Sequence, residues 1–417
     1  MHSQNLDHST KLSLLDAIKP EHLADPYTIY RQLRETDPVY WDEEIGTWVA
    51  TRHAEIMTVL SDSRFSAVHW LPTDDNDSPW ISQETLEQGG TVLRAMGRQM
   101  IFLDPPDHTR LRGLVSRAFT PRMVQKMRYD IQLVVDQLLD TIVPLGQMEI
   151  ISDFAFPLPS IVIAQMLGMP PEDREQFNVW SNAFGSILTG SSRTPEELMQ
   201  AFMNVSAFMD YFRLHLAERK LHPKDDVLQA LVTAEDHGDM LSEEEVLSNC
   251  VLLLAAGHGT TVHLIANGLL ALLRNQDQLQ DLLYNSEIIR EAVEELLRYD
   301  SPVQTIGRLA KVDLKLGGKQ IRAGQQVVCS LGAANRDPAV FNNPDWFNLR
   351  RPDNRQMAFG YGIHYCLGAP LARLEGEIAF PALIKRLPNL RLAEQTLNWE
   401  PTLGFRILRE LHVSWDH

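Results

Sequence analysis

Cysteine is scarce in this sequence: the 417 residues include only Cys250, Cys329 and Cys366, which lie far apart. Three isolated cysteines provide no disulfide framework, so the sequence does not belong to the small disulfide-rich secreted class, and a reducing compartment such as the cytoplasm is favoured. A structural zinc site is also disfavoured, because zinc ligands usually occur in closely spaced pairs.

The sequence also lacks signs of export, of separate domains and of nucleic-acid binding. Residues 1–22 contain no apolar core of signal-peptide length. No Gly/Ser run, charge block, low-complexity tract or repeat interrupts the chain, so we predict one domain over residues 1–417. The net charge of −17 argues against general nucleic-acid binding. We expect a cytoplasmic monomer.

One long stretch lacks charge altogether. Residues 250–273, CVLLLAAGHGTTVHLIANGLLALL, are long enough to cross a bilayer. Polar residues interrupt the stretch, and it has neither an aromatic belt nor basic flanks. We therefore predict no membrane span but a helix buried in a large core. The helix should begin at Ser242, which forms a capping box with Glu245, and run towards Arg274. Between Phe65 and Met100 the periodicity is lost, which predicts a loop.

The most informative stretch that is present is Phe359–Gly368, FGYGIHYCLG. Its glycines allow a bulky planar ligand to approach the backbone closely. A predicted helix with Pro370 in its first turn follows, so Cys366 lies just before a helix N-terminus. The helix dipole and free N–H groups there predict a lowered thiol pKa and a thiolate that can bind iron.

Three other readings of this loop are weaker. A phosphate-binding loop would place Lys and Ser or Thr after its last glycine, where this chain has Ala369 and Pro370. A zinc site built on His364 and Cys366 lacks further ligands at suitable spacing. A buried structural cysteine is the usual state of a lone cysteine, but it does not account for the surrounding glycines.

These ten residues resemble the haem-binding loop of the cytochrome P-450 haem-thiolate family, F-G-x-G-x-H-x-C-x-G, at every specified position. The resemblance implies haem b, with Cys366 as the iron ligand and His364 bonded to a propionate. It also implies a mainly α fold with small β-sheets (α+β), in which haem lies between a long central helix and the cysteine loop. Further haem contacts implied by the resemblance are Phe359, Gly360, Gly368 and Ala256.

Other segments resemble the family in the same order. His108 and Arg112 are four residues apart on a predicted helix, so they share a face. They resemble the family's HxxxR pair at a propionate, although a surface pair is the alternative. Arg308, in a predicted strand, and Gln356 occupy positions where the family often has a propionate-binding arginine and histidine.

The long helix departs from the family at its centre. Gly257, Gly259, Thr260 and Thr261 lower its helix propensity, which marks a candidate functional site. The family pattern is A/G-G-x-D/E-T, in which the acid and threonine organise proton delivery, and here Gly259 takes the acid position before Thr260. Three accounts stay open: His258 carries protons, water or a substrate hydroxyl does so, or the enzyme uses peroxide.

Two further groups complete the expected site. Glu295 and Arg298 share a helix face and, with Arg351, resemble the family's buried Glu-Arg-Arg network, which we expect to be structural. Ala255, Val303, Thr305 and Ile306 are expected to face the substrate. Between His108 and Tyr129 there are six basic residues and no acid, and their exposed members could dock an acidic electron carrier. These are Arg110, Arg112, Arg117, Arg122, Lys126 and Arg128.

The resemblance implies a monooxygenase that hydroxylates or epoxidises a small apolar molecule, using O2 and electrons from ferredoxin and ferredoxin reductase. The sequence is most similar to soluble bacterial members that tailor polyketides and other secondary metabolites. Two alternatives stay open: a peroxide-driven peroxygenase acting on a fatty acid or terpenoid, and a non-catalytic haem sensor or electron carrier.

Overall fold

The computed structural model describes residues 12–68, 83–189, 194–236 and 238–416, and helices dominate this part of the chain. The α-helices are α1 (Tyr27–Thr36), α2 (His53–Ser61), α3 (Gln83–Gly97), α4 (Asp107–Ala118), α5 (Pro121–Lys126), α6 (Arg128–Ile142), α7 (Pro157–Met166), α8 (Arg174–Thr189), α9 (Pro195–Leu221), α10 (Val227–Val232), α11 (Glu243–Arg274), α12 (Gln276–Tyr284), α13 (Ile289–Tyr299), α14 (Leu331–Ala334) and α15 (Ala369–Arg386).

The strands are short and form small sheets. They are β1 (Val39–Asp42), β2 (Thr47–Ala50), β3 (Phe65–Ser66), β4 (Gln147–Glu149), β5 (Glu235–Asp236), β6 (Asp239–Met240), β7 (Thr305–Ala310), β8 (Leu314–Leu316), β9 (Lys319–Ile321), β10 (Gln326–Ser330), β11 (Arg391–Leu392) and β12 (His412–Ser414). The largest sheet has the order β1-β2-β10-β7-β3. Its only parallel pair joins β2 to β10, with Trp48 opposite Val327. The β11-β12-β4 sheet and the β5-β6 and β8-β9 hairpins complete the set.

Helix α11 runs through the middle of the fold. Both hydrogen bonds of the Ser242–Glu245 capping box are present, so the helix begins where the sequence predicts. It packs against α7, α8, α9, α13 and α15. The helix is long and apolar enough to cross a membrane, but 67% of its most apolar window is buried inside the fold. Neighbouring helices, rather than lipid, therefore cover most of its apolar surface.

The loop predicted between Phe65 and Met100 is wrong in part, because α3 occupies its second half, while residues 69–82 lie outside the described residues. Buried Val92, Leu93 and Met96 give α3 an apolar side that outweighs the low helix propensity of its glycines. A Cβ at Gly89 would lie 2.3 Å from the Phe202 ring, so glycine allows α3 to pack closely on α9.

A buried ion cluster fastens α13 to the segment before the cysteine loop. Arg298 donates two hydrogen bonds to the Glu295 carboxylate, at 2.7 and 2.8 Å, and Arg351 Nε donates a third at 3.0 Å. All three side chains are buried. Both arginines also donate to main-chain carbonyls, including those of Asn335 and Asn342. The cluster thus fixes the irregular chain that leads to Cys366.

We expect Glu295→Gln to lower the free energy of unfolding by about 3–5 kcal/mol, because it leaves two buried guanidinium groups without an anion. Urea unfolding followed by circular dichroism measures this loss. The control is Asp281→Asn, which breaks the more exposed Asp281–Arg350 pair and should cost about 1 kcal/mol or less. Equal effects of the two substitutions would contradict a structural role for the cluster.

Candidate active site

A largely apolar cavity lies between α11 and the loop that carries Cys366. It encloses about 1250 Å³ of space free of protein atoms, its open mouth included. The residues predicted for the site that line it are Arg112, Ala256, Thr260, Val303, Ile306, Phe359, Gly360, His364, Cys366 and Gly368. The cavity is therefore bordered by the central helix on one side and by the cysteine loop on the other.

The loop conformation depends on glycine. Gly360 and Gly362 have φ angles of +70° and +73°, and a Cβ at Gly362 would lie 2.3 Å from the main-chain oxygen of Leu60. The Cys366 N–H donates to the Phe359 carbonyl at 2.9 Å, which closes the loop. These constraints hold Cys366 at the cavity wall.

The expected lowering of the Cys366 pKa is wrong for the thiol itself. The Cys366 side chain is exposed to the open cavity. Desolvation by the protein atoms around it nevertheless raises its pKa, and this outweighs the lowering effects of the Gly368 and Ala369 N–H groups and of the Arg112 and Arg373 charges. The helix N-terminus is present as predicted, but desolvation is the larger effect. A coordinating metal displaces the thiol proton in any case.

A buried group of nitrogen donors lies beside the loop. Arg308 from β7 and His108 from α4 are both buried, and the His108 and His364 rings lie 4.2 Å apart. Neither His108 nitrogen, nor Nε2 of His364, has a hydrogen-bond partner among the described residues. Burial and the Arg308 charge lower the pKa of His364 to about 3. Asp104 is near enough to act on all three groups, but no carboxylate of a described residue hydrogen-bonds to them. The donor set therefore fits a group that brings carboxylates of its own.

Arg112 completes this side of the cavity, with Nη2 donating to the Tyr365 carbonyl at 2.5 Å. Two arginines and two neutral histidines therefore lie along one edge of the cavity, and a cysteine occupies its wall. A planar molecule with two carboxylates and a thiolate-binding metal satisfies both features. The residues present thus fit haem, with Cys366 to hold the iron and His108, Arg112, Arg308 and His364 to hold the propionates.

Among the predicted site residues that do not line the cavity, four contact other parts of the fold. Gln356 does not reach the cavity, because its amide donates to Glu294 at 2.9 Å. The Thr305 hydroxyl donates to the Leu403 carbonyl at 3.1 Å. Ala255 packs against the apolar core and does not line the cavity. His258 is buried against Phe156, with ring centroids 4.3 Å apart.

The position of His258 argues against its use as the proton carrier. It is absent from the cavity wall, and its Nδ1 lies 3.5 Å from the Ser181 hydroxyl of α8. Burial lowers the pKa of His258 to about 4, so the imidazole is neutral near pH 7. It therefore faces neighbouring elements rather than the reacting position.

The centre of α11 has room for the missing acid. A Cβ at Gly259 would meet no atom within 4 Å. The Thr260 and Thr261 hydroxyls donate to the Ala256 and Gly257 carbonyls, at 3.0 and 3.3 Å, as their weak helix propensity suggests. Both threonines line the cavity. The space is open, but Gly259 supplies no carboxylate there.

Glu375 on α15 was not predicted as a site residue. It is 1% exposed, and neither carboxyl oxygen has a hydrogen bond of normal geometry to any described residue. Burial raises the pKa of Glu375 to about 8, and the Thr261 hydroxyl is near enough to lower it slightly. Its position between the apolar residues Leu371 and Ile378 on one helix face was the available signal. A neutral carboxylic acid thus stands beside a threonine of the cavity wall.

Cavity residues that sequence reasoning missed come mainly from the core. They include Met100, Ile101, Ile163, Leu252, Leu253 and Leu264. Apolar residues of this kind belong to no motif. Only the tertiary packing decides which of them face the cavity. They make the space above the cysteine loop suitable for an apolar molecule.

We expect Arg308→Gln to speed the loss of bound haem about 10-fold or more, because it removes a buried charge from the carboxylate-binding group. Transfer of haem to excess apomyoglobin measures the rate. The control is Arg64→Gln, which breaks an exposed ion pair with Asp62. A rate unchanged by Arg308→Gln would show that this arginine does not hold the cofactor.

The raised pKa of Glu375 predicts a pH-dependent stability. Below about pH 4.5 the Glu375 carboxyl is protonated in both the folded and the unfolded protein. As the pH rises from there towards 8, the carboxyl loses its proton only in the unfolded protein, so the free energy of unfolding falls. The difference in free energy of unfolding between Glu375→Gln and the unsubstituted protein should therefore move in favour of the variant by on the order of 3–4 kcal/mol from about pH 5 to pH 8. Urea unfolding at the two pH values tests this, and a constant difference would contradict it.

Comparison with known proteins gives a consistent result. The family model for Cytochrome P450 matches residues 84–396. The chain is 41% identical to Cytochrome P450 CYP107DY1 of Priestia megaterium, over 97% of this chain and 99% of that protein. It is 38% identical to the polyketide biosynthesis cytochrome P450 PksS of Bacillus subtilis, over 94% of this chain and 96% of that protein.

A solved structure shows the same fold. The crystal structure of P450BioI in complex with hexadec-9Z-enoic acid ligated acyl carrier protein superposes with a TM-score of 0.88, at 40% identity, over 95% of this chain and 99% of that chain. The expected mainly α fold with small sheets and the expected cofactor, haem b, are thereby confirmed. The chain belongs to the cytochrome P450 family and is a P450 monooxygenase.

Proposed function

We propose that this P450 hydroxylates or epoxidises a small apolar molecule of polyketide type, with O2 and with electrons from ferredoxin and ferredoxin reductase. The observation that carries the proposal is the apolar cavity above Cys366, whose α11 wall offers only the Thr260 and Thr261 hydroxyls as polar side chains. PksS, a relative named for polyketide biosynthesis, supports the substrate class.

A fatty acyl chain is the second candidate substrate. P450BioI, at 40% identity, has been crystallised with a fatty acid linked to acyl carrier protein. The apolar lining of Ile163, Leu252 and Leu264 would suit such a chain equally well. Product analysis with both substrate types separates the two candidates.

We further propose that the protein acts as one cytoplasmic, monomeric domain. The largest apolar core cluster joins buried residues from Val92 to Trp415. Two smaller clusters each join N-terminal residues to residues beyond position 300, which supports one unit. The net charge of −17 and the scarcity of cysteine agree with a cytoplasmic protein that does not bind nucleic acid.

When bound, haem b supplies the redox and dioxygen chemistry. The chain's own part is to hold the cofactor, to exclude water and to deliver protons. Because position 259 has no carboxylate and His258 faces away, we assign proton delivery to Glu375. Its carboxyl is protonated near neutral pH, and the adjacent Thr261 hydroxyl can pass a proton to the cavity, with water restoring it.

The basic segment between His108 and Tyr129 offers a smaller docking surface than the sequence suggested. Arg110 pairs with Asp239 and Glu245, Arg117 with Asp236, and Arg128 with Glu377. Arg122 and Lys126 are exposed and form no ion pair with a described residue. They lie on α5, which packs against α15, the helix that follows the cysteine loop. We propose these two residues as the ferredoxin contacts.

The test compares two oxidant systems. We expect Glu375→Gln to lower product formation about 10-fold or more with ferredoxin, its reductase, NADPH and O2, because that route consumes protons. Product formation with hydrogen peroxide, which brings its own protons, should change little. The control, Glu377→Gln, alters an acid of the same helix that pairs with Arg128 and should leave both rates near those of the unsubstituted protein.

Three outcomes would contradict parts of this proposal. Product from peroxide but none from the ferredoxin system, in the unsubstituted protein, would favour a peroxygenase. An equal loss of both activities in Glu375→Gln would show that Glu375 has no specific part in proton delivery. Absence of product in both systems would favour a haem sensor or electron carrier.

A further inference from the structure

Two consecutive carboxylates on α13 hold different parts of the chain. Glu295 belongs to the cluster that fixes the segment before the cysteine loop. Glu294, in contrast, receives hydrogen bonds from both sides of the loop itself. Gln356, ten residues before Cys366, donates to Oε2 at 2.9 Å, and Arg373, seven residues after it, donates to Oε1 at 2.5 Å and to Oε2 at 3.2 Å.

Arg373 and Gln356, the two partners of Glu294, make further contacts with the cysteine loop. Arg373 Nη1 donates to the hydroxyl of Tyr365, the residue before the cysteine, at 3.1 Å. The Arg373 guanidinium also lies 4.5 Å from the centre of the Phe359 ring. The Gln356 oxygen accepts from the Ala358 N–H at 2.6 Å. One carboxylate thus connects the two ends of the loop and the neighbour of the iron ligand.

The exposure of this group indicates a local role. The side chains of Glu294 and Arg373 are 25% and 31% exposed, so solvent screens their attraction and the pair contributes little to overall stability. Its hydrogen bonds nevertheless converge on a loop whose backbone must place Cys366. What the pair fixes is therefore the geometry of the loop rather than the fold.

The pair also sets the charge near the sulfur. Arg373 bonds to the side chain of Tyr365, the residue before the cysteine, so its positive charge lies close to the cysteine loop. Glu294 lies against that charge and offsets it. Removing either partner should change the electrostatic potential at the cysteine, and the two removals should act in opposite directions.

We propose that Glu294 is a positioning residue for the iron ligand: its carboxylate clamps Gln356 and Arg373 across the cysteine loop and balances the Arg373 charge near Cys366. This assigns Gln356 to the support of the loop rather than to a propionate. It also assigns Arg373 to the support of the loop, through its bonds to Glu294 and Tyr365.

The test uses the haem-loaded full-length protein and its reduction potential. Glu294→Gln leaves the Arg373 charge uncompensated, so the potential should shift in the positive direction. Arg373→Gln leaves the Glu294 charge uncompensated, so the potential should shift in the negative direction. The double variant should return towards the potential of the unsubstituted protein, because both charges are gone.

A second readout reports the loop geometry. With the clamp broken, the thiolate-type, red-shifted Soret band of the reduced carbon monoxide complex should decay at least about 5-fold faster in both single variants and in the double variant. The control is again Glu377→Gln, which removes an ion pair on α15 that does not touch the loop. Its potential and decay rate should match those of the unsubstituted protein.

Potentials and decay rates that equal those of Glu377→Gln would overturn the proposal, even if the melting temperature fell. Shifts of the same sign in both single variants would overturn the charge-balance part. If Glu294→Gln failed to retain haem, Arg373→Lys keeps the charge but loses the bonds to Tyr365 and to one carboxylate oxygen. It should preserve the potential while speeding the decay, and unchanged decay would contradict the clamp.

Discussion

The structure depends on an unpaired group of buried donors beside a cysteine. Arg308, His108 and His364 lie close together, and no carboxylate of a described residue hydrogen-bonds to them. Arg308 donates to the Gly307 carbonyl and is attracted by Asp104, but the buried histidine nitrogens have no hydrogen-bond partner. Buried polar groups without partners are costly, so carboxylates from outside the chain would stabilise the arrangement. Haem would supply two carboxylates for these donors and an iron for Cys366. The donors come from α4, β7 and the loop, so the cofactor joins elements distant in sequence.

Several other parts of the fold fix the position of the loop that carries Cys366. Glu295 holds the chain before it, and Glu294 connects its two ends. Helix α11 forms the opposite wall, and its weakened centre leaves the Thr260 and Thr261 hydroxyls at the cavity. The acid that the family usually places before the threonine is absent, although the space for it is open. A buried carboxyl at Glu375, on the helix after the loop, lies near Thr261 and is the group to which we assign proton delivery.

Much of this could be predicted from the sequence where the signal is local. The loop glycines, the His108–Arg112 spacing, the Ser242 cap and the Glu295–Arg298 spacing each express a constraint within a few residues. Residue orientation was harder to predict. Gln356 and Thr305 bond to other segments, and the face of α11 that carries His258 turns towards α8, because the packing of distant elements decides which side meets the cavity. Glu375 could not be assigned to the site from the sequence. A carboxyl within an apolar helix face indicates a site residue only when the facing helix, α11 with Thr261, is known.

The central claim is that Cys366 binds haem iron as a thiolate, and the absorption spectrum of the dithionite-reduced protein under carbon monoxide tests it most directly. The account predicts a strongly red-shifted Soret band, as thiolate-ligated ferrous haem gives, and its loss in Cys366→Ser. A protein without haem, or a band of the histidine-ligated type, would contradict the assignment of Cys366 and the site built around it.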